Sequence, residues 1–120
     1  MVTIRAVRAP TDYIFFHATR HKSPRKSGPV YLTPDRARAS TYGPNMFVGA
    51  LTKSVNLLFA TSGDEIVDAV GGDSSEQVVG EVVDLLRDRG DVDGFWIKRP
   101  NDLEEILLLD ASLLKWRAAR

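Results

Sequence analysis

Hydrophobic residues in this chain fall mainly into short runs separated by polar, Gly- and Pro-containing segments. Residues 13–17, YIFFH, are aromatic and β-branched and predict a buried strand. Residues 19–29, TRHKSPRKSGP, read as a loop. Residues 30–33, VYLT, predict a second strand, after which Thr33 as N-cap and Pro34 in the first helical position open a short helix, PDRARASTY, stopped by Gly43-Pro44. Residues 46–51 and 55–59 read as strands, with 52–54 either turning between them or bulging one long strand. A short helix over 64–70 ends at Gly71-Gly72. The clearest helix covers 76–89: Ser74 and Gln77 form a capping box, Val78, Val79, Val82, Val83 and Leu86 form one apolar stripe, and Gly90 suits a left-handed C-cap. Residues 95–98 predict a strand, and residues 104–109, EEILLL, another that is buried on both faces. Short strands with helices inserted in the middle make an α+β domain: a small split antiparallel β-sheet with a few short helices. Such a sheet leaves a cleft between its halves, where ligands usually bind.

At 120 residues the chain has room for a single domain, 1–120, and its 43% apolar and 27% charged residues are those of an ordinary globular protein. Cysteine is absent, which excludes a disulfide framework, a thiolate zinc site and a cysteine nucleophile, and fits a reducing compartment. With two His, a protein-built zinc site would have to rely on carboxylates, so no metal is expected. No apolar run approaches the roughly 18 residues of a membrane span, and MVTIRAVRAP lacks the apolar core of a secretory signal. The expectation is a cytoplasmic protein without membrane association. The zero net charge hides an asymmetry: residues 1–54 hold nine Lys/Arg against two Asp (net +7), and residues 55–120 seven against fourteen Asp/Glu (net −7). A basic half that stays exposed after folding would attract a phosphate-bearing ligand.

Three pieces carry candidate chemistry: His17-Ala18-Thr19 at a strand end, Tyr31 in a strand followed eleven residues later by Tyr42, and Glu104-Glu105 opening a late strand. Taken singly, each has an ordinary structural explanation: a satisfied histidine, two core phenols, two solvated edge charges. Alternation along a strand puts Glu104 and Glu105 on opposite faces, and the five-residue interval to Asp110 favours Glu105 as the functional carboxylate.

In this order and spacing FHAT, VYLTPDRARASTY and EEILLLD resemble the ADP-ribosyltransferase superfamily, and within it the His-Tyr-Glu branch of diphtheria-toxin-like enzymes and poly(ADP-ribose) polymerases. DRGDVDGFWI is similar to the helix-to-strand passage that precedes the Glu in small bacterial and phage members. The resemblance covers roughly residues 13–115. It implies an ADP-ribosyltransferase-like fold and a glycosyltransferase activity with NAD as substrate and nicotinamide as leaving group. It further implies that Glu105, His17 and Tyr31 are catalytic. His17 would bond the adenosine ribose, Tyr31 and Tyr42 would wall the nicotinamide, and the main chain of Ala18 would clasp its amide. Thr19 would complete the His motif, and Arg20, foremost among the cations Arg20, Lys22, Arg25 and Lys26, would neutralise the pyrophosphate. Ala18 stands where the family has Gly, Ala39 where polymerase-like members often have Ser, and Ile106 where an aromatic is common.

The implied activity is transfer of one ADP-ribose to an unidentified acceptor, whether protein, nucleic acid or small molecule. Small free-standing members are often toxins, effectors or phage proteins, which brings a neutralising partner protein into consideration. Three alternatives stay open: an NAD glycohydrolase using the same residues, a non-catalytic binding module suggested by Ala18 and the short loop 18–30, and a nucleic-acid-binding protein built on the basic first half. An RNA 2′-phosphotransferase is disfavoured by Tyr31 in the second motif.

Overall fold

The structure is a computed structural model, and it describes residues 2–7, 15–24, 26–71, 79–100 and 104–118. Among the described residues eight strands form two sheets. β1 (Thr3–Val7), β5 (Val55–Ala60), β6 (Gly94–Lys98), β7 (Glu104–Leu108) and β3 (Val30–Leu32) lie in that spatial order in a five-stranded sheet. β2 (Phe15–Thr19), β4 (Asn45–Leu51) and β8 (Leu114–Ala118) form a three-stranded one. The helices are α1 (Arg36–Ala39), continued by a 3-10 turn Ser40–Tyr42, α2 (Gly63–Ala69) and α3 (Val79–Arg89), with a second 3-10 turn at Ala111–Leu113. The architecture is α+β.

The expectation of antiparallel sheets fails at one pair. β5 and β6 run parallel, Leu57 opposite Gly94 through Ala60 opposite Ile97. A parallel connection needs a crossover rather than a tight turn, and α2 and α3 supply it. The segment 52–54 turns between two separate strands rather than bulging one long strand, and it carries the chain from the three-stranded sheet into the five-stranded one.

Alternation along the central strands buries both faces of the larger sheet. Val30, Leu32, Leu57, Trp96, Ile106 and Leu108 face the smaller sheet, meeting Phe15, Leu51 and Leu114 in one core. Leu58, Phe95, Ile97 and Leu107 face the other way, onto Ile66 and Val67 of α2 and Val82, Val83 and Leu86 of α3. The three apolar positions Ile106, Leu107 and Leu108 are therefore all buried, as their unbroken run predicts. Ser62 caps α2 by accepting from the N–H of Glu65, and Gly90, with φ of 77°, closes α3 in the left-handed region. Tyr13 and Ile14 of the first predicted strand, the Ser74–Gln77 capping box and Val78, together with Gly72 and Arg25, lie outside the described residues.

Around α1 the cap differs from expectation. Thr33 stays in β geometry, exchanging hydrogen bonds with Phe16 (2.8 and 3.1 Å), so it does not cap the helix. Its hydroxyl accepts from the N–H of Asp35, and the Asp35 carboxylate then accepts from the N–H groups of Ala37 and Arg38. The helix starts two residues later than Pro34 suggests because the strand still claims Thr33.

Candidate functional site

The Phe16–Thr33 bridge sews the two sheets together along β2 and β3. Continued antiparallel pairing would set Ala18 opposite Tyr31. Instead the strands part, and a cleft of about 400 Å³ fills the wedge. His17, Ala18, Tyr31, Tyr42, Glu104 and Glu105 all line it.

His17 stands where the strands separate. Its Nδ1–H donates to the carbonyl of Tyr31 at 2.9 Å, because a carbonyl can only accept, and this assigns the proton to Nδ1. The ring also packs tilted against Trp116, centroids 5.6 Å apart. One residue on, alternation governs the main chain. The N–H and C=O of Phe16 point to Thr33, so those of Ala18 point to the same side, into the wedge. The Ala18 methyl is buried on regular strand backbone, opposite Met46 of β4. No left-handed conformation is required there, so the methyl introduces no strain of the kind glycine would relieve.

Tyr31 lies edge-on to Phe95, centroids 6.4 Å apart, and remains 41% exposed. Tyr42, on the 3-10 turn after α1, is 55% exposed. Two large rings left open to solvent at one cleft are unusual for core residues, and they offer faces to a flat ligand. Gly43 brings Tyr42 there. Its backbone is extended, so conformational freedom is not what requires glycine; a Cβ would stand 2.5 Å from the Thr19 carbonyl carbon. The helical run stops at Gly43 as its sequence reads, and the same residue makes the close contact between the turn and the end of β2.

The two glutamates part company by strand alternation. Glu104 accepts from the indole N–H of Trp96 at 3.0 Å. Glu105 shares a face with Leu107, which pairs with Tyr31, and thus lies on the phenol side of the cleft. Two guanidinium groups approach its Oε1: Arg99 at 3.2 Å and Arg38 at 3.8 Å. Neither arginine was singled out in the sequence, although Arg38 precedes Tyr42 by four residues, the helical spacing of one face. Arg99 carries no local signal, since it is brought to Glu105 by β6–β7 pairing. Asp110, whose spacing favours Glu105, caps the following 3-10 turn by accepting from the Ser112 N–H, which holds its carboxyl below the usual range.

Thr19 and Arg20 are placed differently from the other motif residues and do not line the cleft. The Thr19 hydroxyl accepts from the N–H of His21, and Arg20 is exposed beyond the end of β2. Ser40, beside Ala39, donates its hydroxyl to the carbonyl of Ala37. Among the described residues no group of three metal-ligating side chains forms, and no helix is long and apolar enough to cross a membrane.

The Tyr31 phenol is held above its ordinary value near 10.0, chiefly because packing removes water from it, then because the Glu105 carboxylate opposes a phenolate, and last through Tyr42. A raised folded-state value means that this contribution to stability is complete below the unfolded value and is lost as pH rises through the folded one. Site-resolved tyrosine NMR should give a midpoint above that of a free tyrosine. Glu105→Gln should lower it without removing the whole shift, since burial remains; an unmoved midpoint would separate the carboxylate from the phenol.

No protein-family model, curated protein or solved structure matches the chain.

Proposed function

We propose that the chain is an ADP-ribosyltransferase-like domain that transfers one ADP-ribose from NAD to an acceptor, releasing nicotinamide. One observation carries this reading: His17, Tyr31, Tyr42 and Glu105, spread over 89 positions of the chain, line one cleft of about 400 Å³.

In this reading nicotinamide lies against the open faces of Tyr31 and Tyr42, and the inward-pointing N–H and C=O of Ala18 pair with its carboxamide. The bond between the ribose C1′ and the nicotinamide nitrogen breaks, and nicotinamide leaves with the bonding pair. Positive charge grows on the ribose, and the Glu105 carboxylate opposes it while bonding the ribose hydroxyl. A nucleophile on the acceptor then attacks C1′ and gives up its proton. Arg99 and Arg38, both paired with the Glu105 carboxylate, keep its charge balanced at the cleft wall. His17, locked by Tyr31, presents Nε2 to the adenosine ribose. The chemistry demands little covalent work and much positioning, which suits rigid strands meeting at a wedge. A purely binding role draws on Ala18 and on the short loop 18–30; the regular strand geometry at Ala18 speaks against the first of these.

The test is incubation of the purified protein with NAD labelled in its adenylate half, with and without cell lysate. Nicotinamide release together with label transfer to a macromolecule or small molecule is the expected result. Steady release with no labelled acceptor makes the protein a glycohydrolase, and absence of NAD binding at millimolar ligand overturns the reading.

A further inference from the structure

The hydrogen bond from Nδ1–H of His17 to the carbonyl of Tyr31 fixes one corner of the imidazole. By itself it leaves the ring free to swing about the axis of that bond, which moves Nε2 while Tyr31 stays satisfied. A second restraint comes from the far edge of the smaller sheet. Trp116 of β8 stands opposite Gly49 of β4, and Gly49 stands opposite Phe15 of β2. Partners in register share a face, and His17, two residues after Phe15, leaves β2 on that same face. A Cβ at position 49 would lie 3.1 Å from Cζ3 of the indole, closer than an ordinary contact, and would push the ring aside. Because glycine has none, the indole crosses β4 and meets the imidazole two strands away, centroids 5.6 Å apart and planes at 47°. The indole is itself held, packed against the inter-sheet core that contains Leu51 and Leu114.

We propose that Trp116 is a positioning residue, which holds the His17 ring so that Nε2 stays turned to the adenosine ribose. The identity of that ligand rests on the NAD reading; the bracing of the imidazole does not. A neutral imidazole protonated on Nδ1 carries a lone pair on Nε2, directed outward in the plane of the ring. A ribose hydroxyl donates to it well only along that direction. The bond to Tyr31 sets the tautomer, and the indole sets the plane. A role confined to the core would make Trp116 matter equally for every part of the ligand. Acting through one imidazole, it matters for the adenosine half and leaves the nicotinamide half, against Tyr31 and Tyr42, untouched.

Two measurements test this, the first without ligand. Proton–nitrogen correlation NMR of the His17 ring, at about pH 9 where an ordinary imidazole is neutral, should show the Nδ1–H tautomer in the parent and in Trp116→Phe. Trp116→Leu should show an average of both tautomers. Gly49→Ala, which keeps the tryptophan but displaces it, should loosen the ring in the same direction, and it carries both measurements if Trp116→Leu does not fold. Calorimetry is the second. Trp116→Leu should weaken NAD and ADP-ribose alike, roughly 3- to 10-fold, the size of one aromatic contact. Nicotinamide mononucleotide, which lacks the adenosine, should stay within about twofold, and adding Trp116→Leu to His17→Ala should cost nothing further. The proposal is overturned by an unchanged tautomer signal in Trp116→Leu and Gly49→Ala, by equal weakening of nicotinamide mononucleotide, or by additive losses in the double variant. If the parent binds neither NAD nor ADP-ribose, the NAD reading falls and takes the ribose assignment with it, while the tautomer signal still decides whether Trp116 holds the ring.

Discussion

On the proposed transferase reading, Glu105→Gln should lower NAD turnover by on the order of 10²–10³-fold while NAD affinity stays within a few-fold of the parent, the magnitude typical of losing one preorganised electrostatic contact. Glutamine keeps the size of the side chain and an acceptor oxygen, so the resting complex loses little. What it lacks is the negative charge, which acts only when the ribose becomes cationic. The structure adds a second contribution. Arg99 and Arg38 share Glu105 as an anion, and after substitution two guanidinium groups remain beside a developing cation. Initial rates of nicotinamide release, set against calorimetric NAD affinity, separate the two effects. Glu104→Gln is the control: its oxygen still accepts from Trp96, so turnover should stay close to the parent's. Full turnover in Glu105→Gln with loss in Glu104→Gln would place the working carboxylate on the other face of β7.

Trp96→Ala costs about 3–5 kcal/mol of folding stability, the range for truncating a large buried aromatic, and lowers Tm by roughly 10–20 °C. Trp96 is 1% exposed at the centre of the inter-sheet core. Its ring meets the edges or faces of Phe15 at 6.5 Å and Phe59 at 6.2 Å, and Arg5 of the edge strand β1 sits 4.6 Å above it. Removing it opens a cavity between the sheets and deprives Glu104 of its donor at the same time. Trp96→Phe restores most of the volume, so it should cost less, about 1–3 kcal/mol for the missing indole N–H and the smaller residual cavity. Differential scanning calorimetry of both variants checks the comparison. A drop below about 1 kcal/mol for Trp96→Ala would mean that the sheets are held together elsewhere.

Elements with strong local signals were legible in order and nearly in extent: the described part of YIFFH from Phe15 on, VYLT, EEILLL and the Val82, Val83, Leu86 stripe lie where their patterns predict. Two strands were not. TIRAV and LKWRA do alternate polar and apolar residues, but over five positions each and with one residue fully buried in each, Val7 and Leu114, so the local signal is short and weak. Both are edge strands, one at the margin of each sheet. At the site, the residues His17, Tyr31, Tyr42 and Glu105 could be proposed from order and spacing, whereas the arginines that grip Glu105 could not. Arg38 and Arg99 are ordinary exposed cations until β7, β6 and α1 are brought together.

The chain's own pattern determined where most of the strands and helices lie, which faces of β7 are buried, and that Glu104 and Glu105 leave β7 on opposite faces, because these follow from local periodicity. Only the folded molecule decided that β5 and β6 run parallel, that the main chain of Ala18 opens into a wedge, and that Gly43 is needed to seat a turn on β2. Those features depend on groups distant in sequence approaching within a few ångströms, and short-range hydrophobic pattern contains no record of which distant groups will meet.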